Sequence, residues 1–175
     1  SPVTQFLLTG LVTLVVLVVV TGVLSNRAAR DEALADARAS TEVLAFSVAE
    51  PAVPRGLVDG DAGAIDRFDR TSLDRLLVGD VQRLKIWARD GTIVYSDETR
   101  LIGETFTLGA DELEVLDEGG SEAEVSDLGR PENRYERRYG KLLEVYLPIR
   151  TPDGTEVLFE AYFRYETVSA SGRRI

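Results

Sequence analysis

The stretch of residues 6–24, FLLTGLVTLVVLVVVTGVL, contains no charged side chain and is interrupted only by threonine and glycine. At about 1.5 Å per residue, a helix of this length spans roughly 28 Å, which is close to the hydrocarbon thickness of a bilayer. A helix satisfies its backbone polar groups internally, so the high valine content is no obstacle in lipid. The sequence therefore predicts a membrane helix over residues 1–25.

Two other interpretations of this stretch are a cleaved signal peptide and a buried core helix. A signal peptide has a shorter apolar core and a small-residue cleavage site. Here the apolar run passes directly into SNRAARDEALADARAS, which reads as further helix. This continuity favours a retained membrane helix.

The orientation of that helix is left open by the charges beside it. Arg27 and Arg30 follow the apolar run, and the positive-inside rule alone would place the following residues in the cytosol. The chain has no cysteine, which suits an exposed, oxidising compartment.

Composition excludes several classes of function. Without cysteine or histidine the chain has no disulfide, no histidine-based catalytic triad, no imidazole pH switch and few options for zinc. A net charge of −10 argues against nucleic acid as a direct partner. No nucleophile paired with a base and no phosphate-binding loop is evident, so we expect no catalytic residue, no metal site and no cofactor.

Two helices are predicted after the membrane segment. Residues 28–50 are rich in alanine and mixed charges, and Pro51 and Pro54 follow. The second helix covers residues 62–78. An apolar stripe at 3–4 spacing on the first helix either packs on the helix's own domain or meets a twin helix in a dimer. The stripe consists of Leu34, Ala37, Thr41, Leu44 and Val48.

The pattern then changes to alternation. A hairpin over residues 84–96 turns at Asp90 and Gly91, and a short acidic helix follows at 110–118. Three further strands are predicted at 122–128, 135–149 and 156–165, with a bulge at Gly140. Five mostly antiparallel strands with helices predict an α+β domain.

This order, together with LKIWARDGTIVYSDETRLIGETF (84–106) and YLPIRTPDGTEVLFEAYF (146–163), resembles the extracytoplasmic PAS-like (PDC or Cache-type) sensor domains of bacterial sensor histidine kinases. The resemblance covers residues 28–165. It implies a PAS-like five-stranded antiparallel sheet, with a long N-terminal helix that continues from the membrane and packs on one face. A ligand pocket would open on the other face, under the loops between the second and third strands.

The resemblance also implies a division of the chain and a role. The parts are the membrane helix (1–25), a juxtamembrane signalling helix (26–51), the sensor domain (52–166) and an approach to a second membrane helix (167–175). The implied protein is a homodimer in the cell membrane. It passes ligand-dependent helix displacement to a cytoplasmic histidine kinase and its response regulator. The alternatives are the input domain of a chemoreceptor or diguanylate cyclase, and a tethered adhesion module without a small-molecule ligand.

Six side chains are candidates for binding an unidentified small molecule, because ligand sites combine aromatic walls with a few polar groups. They are Lys85, Trp87, Tyr95, Tyr139, Tyr146 and Tyr162. The alternative is that they are ordinary core or rim residues of a two-faced sheet. The family's citrate- and fumarate-type members carry an arginine and a histidine where this sequence has Val94 and Asp97, so a dicarboxylate ligand is not expected.

Two charge clusters have a functional and a solvated interpretation. The basic cluster either binds an anion or lies on the surface balanced by Glu132 and Glu136; the acidic one either binds divalent cations weakly or is solvated. The solvated interpretation is favoured for both. The basic cluster is Arg130, Arg134, Arg137, Arg138 and Lys141; the acidic cluster is Asp111, Glu112, Glu114, Asp117, Glu118, Glu122, Glu124 and Asp127.

Overall fold

The N-terminal part of the chain is one continuous helix. The computed structural model describes residues 2–165, so the predicted approach to a second membrane helix lies outside the described residues. Helix α1 (Pro2–Leu44) runs into a π-helical turn (Ala45–Ala49) and a last short turn, α2 (Glu50–Ala52). The 51 residues from Pro2 to Ala52 include a stretch long and apolar enough to cross a membrane, and none of that stretch is buried against the rest of the described chain.

The helix ends at Ala52, within two residues of the predicted end, and contains Pro51 in its last turn. A proline lacks an N–H group, and its ring clashes with the carbonyl four residues earlier. The π-helical turn lies directly before Pro51, and the Glu50 N–H donates to the Ala45 carbonyl five residues back. Such a widened turn re-routes the backbone hydrogen bonds where a regular helix would be strained.

The sheet has five antiparallel strands, which confirms the predicted PAS-like α+β fold. The strands are β1 (Val81–Trp87), β2 (Ile93–Ser96), β3 (Glu122–Ser126), β4 (Leu142–Arg150) and β5 (Glu156–Arg164). Their spatial order is β2-β1-β5-β4-β3. Two further helices are α3 (Ala62–Leu76) and α4 (Ala110–Glu118).

Strand β4 begins seven residues later than predicted, at Leu142 instead of residue 135. The segment before it forms two 3₁₀ turns, Pro131–Asn133 and Arg137–Tyr139. Gly140 follows the second turn with φ +75° and marks the entry to the strand, so the predicted bulge at Gly140 is wrong.

One face of the sheet packs against the helices. Small side chains of the first helix, at Ala33, Ala37, Thr41, Ala45 and Ala49, are buried at four-residue spacing and allow the helix to approach the strands closely. Leu34, Leu44 and Val48 pack against the same core, which also contains Phe68 of α3. The predicted stripe on α1 therefore packs on the helix's own domain.

Candidate functional site

The face of the sheet opposite the helices carries buried polar groups in two cross-strand rows. In one row Arg83, Tyr162 and Glu144 lie side by side on β1, β5 and β4; in the other, Lys85, Glu160 and Tyr146 do. Residues in register on antiparallel strands point to the same face. Four charged side chains and two tyrosines thus share a face that is largely closed to solvent, and we call it the polar face.

Lys85 lies at the centre of the polar face and is fully buried. Its Nζ donates to Asn133 Oδ1 at 2.7 Å and to Tyr162 Oη at 2.8 Å, and it lies 3.9 Å from Glu160 Oε2. A buried ammonium needs such hydrogen-bond partners and a nearby opposite charge. The contacts fix the Lys85 side chain between the sheet and the segment that bears Asn133.

Glu160 is held as a carboxylate by three neighbours. Trp87 Nε1 donates to its Oε2 at 2.8 Å, and Tyr162 Oη lies 2.8 Å from its Oε1. Burial would raise the pKa of Glu160, but the charge of Lys85 and these hydrogen bonds outweigh it, so the pKa lies below the ordinary value.

The second carboxyl of the polar face, Glu144, behaves in the opposite way. Burial first, and then the negative charge of Glu160, raise the pKa of Glu144 well above its ordinary value. Two carboxyl groups so close to each other cannot both ionise freely. Glu144 is therefore the member of the pair that keeps its proton to the higher pH.

The Tyr162 hydroxyl has two possible hydrogen-bond acceptors. Its hydroxyl lies 2.8 Å from both Asn133 Oδ1 and Glu160 Oε1, yet it carries a single proton. The charged Glu160 is the stronger acceptor. The Asn133 amide oxygen then depends mainly on Lys85.

The segment that covers the polar face runs over residues 127–141, and we call it the strap. Arg137 closes it on itself by donating to the carbonyls of Leu128 and Gly129, both at 3.2 Å. Arg134 ties it to Glu104 at 2.6 Å, and Arg130 pairs with Glu112 of α4. These ion pairs fasten the strap to the segment between β2 and β3.

A second charged group lies under the strap. Arg83 pairs with Asp97 and lies 3.6 Å from Glu98 and 3.7 Å from Glu136. Burial raises the pKa of Glu136 in spite of Lys85 and Arg83. The charge of Asp97 is balanced by Arg83. Val94, the other position that differs from the citrate- and fumarate-type members, packs into the core on the helix side.

The structure brings four of the six candidate binding residues together. Lys85, Trp87, Tyr146 and Tyr162 lie on the polar face, and Tyr139 is on the strap, where it packs beside Tyr162. Tyr95 lies on the other face, in edge contact with Phe68 and donating to Asp69 at 2.8 Å. Tyr95 cannot share a site with the other five, and whether those five bind a ligand stays a prediction.

The space between the polar face and the segments that cover it is almost filled. Between Trp87, Glu112, Arg130 and Glu160, a cavity of about 10 Å³ remains, room for about one water molecule. A larger open groove of about 710 Å³ lies elsewhere, where Val43 on α1 faces Val78 and Phe163. Any larger ligand of the polar face would require the strap to move.

Sequence reasoning missed the partners that complete this site: Arg83, Asn133, Glu136, Glu144 and Glu160. A signal was present for two of them. Glu144 and Glu160 stand among apolar residues in β4 and β5, two positions before Tyr146 and Tyr162. Residues two positions apart in a strand point to the same face. A charged side chain in a strand that is buried on both faces therefore indicates a cluster of polar groups on that face.

The two charge clusters follow the solvated interpretation in part. Arg130, Arg134 and Arg137 bind groups of the chain itself, as described, and Arg138 is exposed beside Tyr139. Within residues 2–165 no group of three acidic side chains converges in a way that could hold a metal ion.

Comparison with known proteins finds a likeness of architecture among solved structures. No family model matches the chain, and no curated protein matches it. A solved structure that is similar is the sensor domain of DcuS from E. coli, with 18% identity and a TM-score of 0.47 over 84% of this chain and 98% of that one. The fold itself, described above, defines a PAS-like α+β domain on a long helix of membrane-spanning length.

Proposed function

We propose that this chain is the extracytoplasmic signal-sensing part of a membrane-anchored sensor histidine kinase. The observation that carries the proposal is the uninterrupted helix from Pro2 to Ala52. It joins an apolar, bilayer-length stretch to a turn that packs in the core of the domain, where Ala45 and Ala49 are fully buried. A displacement of the sheet can therefore reach the membrane through one rigid element.

The signal enters, in this proposal, at the polar face. A ligand that binds one arrangement of strap and sheet better than another shifts the populations of the two. Lys85, Trp87, Tyr139, Tyr146 and Tyr162 are the proposed contact residues. Glu160 lies among them as a buried carboxylate, and its negative charge supports the expectation that a dicarboxylate is not the ligand.

A homodimer would convert this shift into an output, through small helix displacements at the dimer contact. The stripe containing Leu34 and Leu44 packs inward, so we place the contact on the outward face of α1. Val43 and Phe46 are 63% and 51% exposed there. Two copies anchored in one membrane present these faces in parallel, and a cysteine at Val43 would cross-link them.

The test uses the intact gene product in membrane vesicles. Reading the gene past the codon for Ile175 should reveal a second apolar span and a phosphoacceptor-histidine module. Autophosphorylation should then change several-fold in Lys85→Met, which disturbs the polar face, and stay at the wild-type level in Lys141→Met, which alters an exposed side chain. A methyl-accepting or cyclase module would assign the output to the alternative receptor classes. Unchanged phosphorylation in Lys85→Met would contradict the proposal that the polar face controls the output.

A further inference from the structure

The strap closes the polar face at a cost in free energy. Leu128 adopts φ +60°, a left-handed conformation that is unfavourable for a side chain of its size. The Asn133 amide nitrogen is buried and has no hydrogen-bond partner among residues 2–165. Both carboxylate oxygens of Glu136 are also buried without a hydrogen-bond partner among these residues, and Arg83 Nε lies 3.7 Å from Oε1. Buried polar groups without partners are destabilising, so the closed strap stores unfavourable terms that opening would release.

The polar face beneath the strap keeps its own order without it. Trp87 and Tyr162 each donate a hydrogen bond to Glu160 within the sheet, and Lys85 contacts Tyr162 and Glu160. Asn133 supplies from the strap a single oxygen that accepts from Lys85. Opening would leave a preorganised donor, the Lys85 ammonium, beside a preorganised acceptor, the Glu160 and Glu144 pair.

We propose that the strap is a displaceable occupant of the ligand site, and that the ligand is a small uncharged molecule in which a carbonyl oxygen adjoins an N–H or O–H group. Its oxygen replaces Asn133 Oδ1 on Lys85, and its donor faces Glu160 and Glu144. A carboxamide is the simplest member of this class. The inference rests on the proposed sensing function and adds to it the chemistry of the ligand and the element that moves.

The charges of the polar face determine the chemical class of the proposed ligand. An anion would meet the Glu160 carboxylate, which lies 3.9 Å from the Lys85 ammonium, and a cation would meet that ammonium at the place of the Asn133 oxygen. Trp87 and Leu158 line the adjoining cavity and provide an apolar wall for the rest of the molecule. A neutral molecule with paired donor and acceptor satisfies all of these groups.

The absence of cysteine from the sequence permits a direct test with single reporters. Leu128→Cys places a thiol in the strap itself, and Ala161→Cys places one in the core of β5 on the helix side; both positions are fully buried. Labelling of the full chain in detergent with methyl methanethiosulfonate, followed by mass spectrometry, reports opening of the strap in the first variant and global unfolding in the second. Acetamide is the probe, and acetate, of the same shape but anionic, is its control.

We expect Leu128→Cys to react at least tenfold faster than Ala161→Cys, and acetamide to raise the Leu128→Cys rate at least twofold while acetate does not. Adding Glu136→Gln should slow this labelling, because a neutral side chain is buried at lower cost, whereas Glu118→Gln on the exposed end of α4 should not. Equal rates for the two reporters, or equal effects of acetamide and acetate, would overturn the proposal. Should Leu128→Cys fail to fold, Asn133→Cys reports the same opening.

The outcome is separable from that of the sensing proposal. Strap opening with acetamide but unchanged autophosphorylation in Lys85→Met would refute sensing and leave the binding site standing. The reverse result would refute the displaceable strap alone.

Discussion

Lys85 shows at the scale of one residue how a buried charge is retained in this domain. Its hydrogen-bond partners Asn133 and Tyr162 lie 48 and 77 positions away in the sequence. Such contacts depend on strand register and on the path of the strap, which no local pattern specifies. The sequence could therefore identify Lys85 as a candidate but could not identify its partners.

Replacing Lys85 with methionine should strongly destabilise the fold. The change leaves Glu160 buried without its counter-charge, and breaking one half of a buried pair costs about 3–5 kcal/mol. Urea denaturation followed by circular dichroism measures the free energy of unfolding. Lys141→Met, at an exposed position, should stay within about 0.5 kcal/mol of the wild type. A loss below about 1 kcal/mol in Lys85→Met would mean that Glu160 is not charged in the folded state.

Glu144 should make the fold less stable as the pH rises. Burial and Glu160 raise its folded-state pKa above the ordinary 4.5, so the folded protein keeps a proton that the unfolded chain releases. Below pH 4.5 Glu144 has no effect; above it, the free energy of unfolding falls until the folded-state pKa is passed, by about 1.4 kcal/mol per unit of difference.

The variant Glu144→Gln removes this loss. Its advantage in the free energy of unfolding over the wild type should be small at pH 4.5 and grow as the pH rises, in denaturation series at several pH values. Glu118→Gln, at an exposed position, should follow the wild-type pH dependence. Parallel curves for Glu144→Gln and the wild type would contradict the assignment of the proton.

The face on which Tyr95 lies is set by an irregularity in strand β2. Strict alternation along β2 would place Ile93 and Tyr95 on one face, but Trp87 pairs with Ile93 while Ile86 pairs with Tyr95, so Val94 is an extra residue. Such a bulge turns the following side chains to the other face. Sequence reasoning found the hairpin from Asp90 and Gly91, and it missed the bulge because no residue type marks it.

Strand β4 and the strap illustrate a second limit at this scale. Tyr135 and Tyr139 extend the alternating pattern of β4 backwards and suggest a longer strand. In the structure these tyrosines are part of the strap, where Arg100 stacks on Tyr135 with its guanidinium carbon 3.9 Å from the ring centre. Aromatic residues at even spacing therefore do not by themselves distinguish a strand from a covering segment.

The β1–β2 hairpin offers a test of how the covering segments are held. Gly91 has φ +85°, and a Cβ there would overlap the Phe106 carbonyl oxygen; Gly154, at φ +86°, has nothing within 4 Å. Gly154→Ala should lose only the cost of the backbone conformation, about 1–2 kcal/mol. Gly91→Ala should lose a further 1–3 kcal/mol, roughly, from the clash. Equal losses by thermal denaturation would show that the segment at Phe106 is not fixed on the hairpin.

At the scale of the whole molecule, the helix from Pro2 to Ala52 connects two environments. Its first half is apolar and exposed, and its second half buries alanines at regular spacing against the sheet. The sequence was sufficient to predict both halves, because each carries its own composition. It also predicted that they form one helix, because the apolar run passes directly into a helical pattern. The π-helical turn at the end of that helix carries no such signal.

The side of the membrane on which the domain lies is the most direct test of the central claim that it is an extracytoplasmic sensor. Arg27 and Arg30 favour the cytosol by the positive-inside rule, whereas the resemblance to sensor domains favours the outside. The measurement is the labelling of Asp59→Cys, at an exposed loop position, with a membrane-impermeant maleimide in intact and in lysed cells. Our account predicts equal labelling in both; labelling only after lysis would place the domain in the cytosol and contradict it.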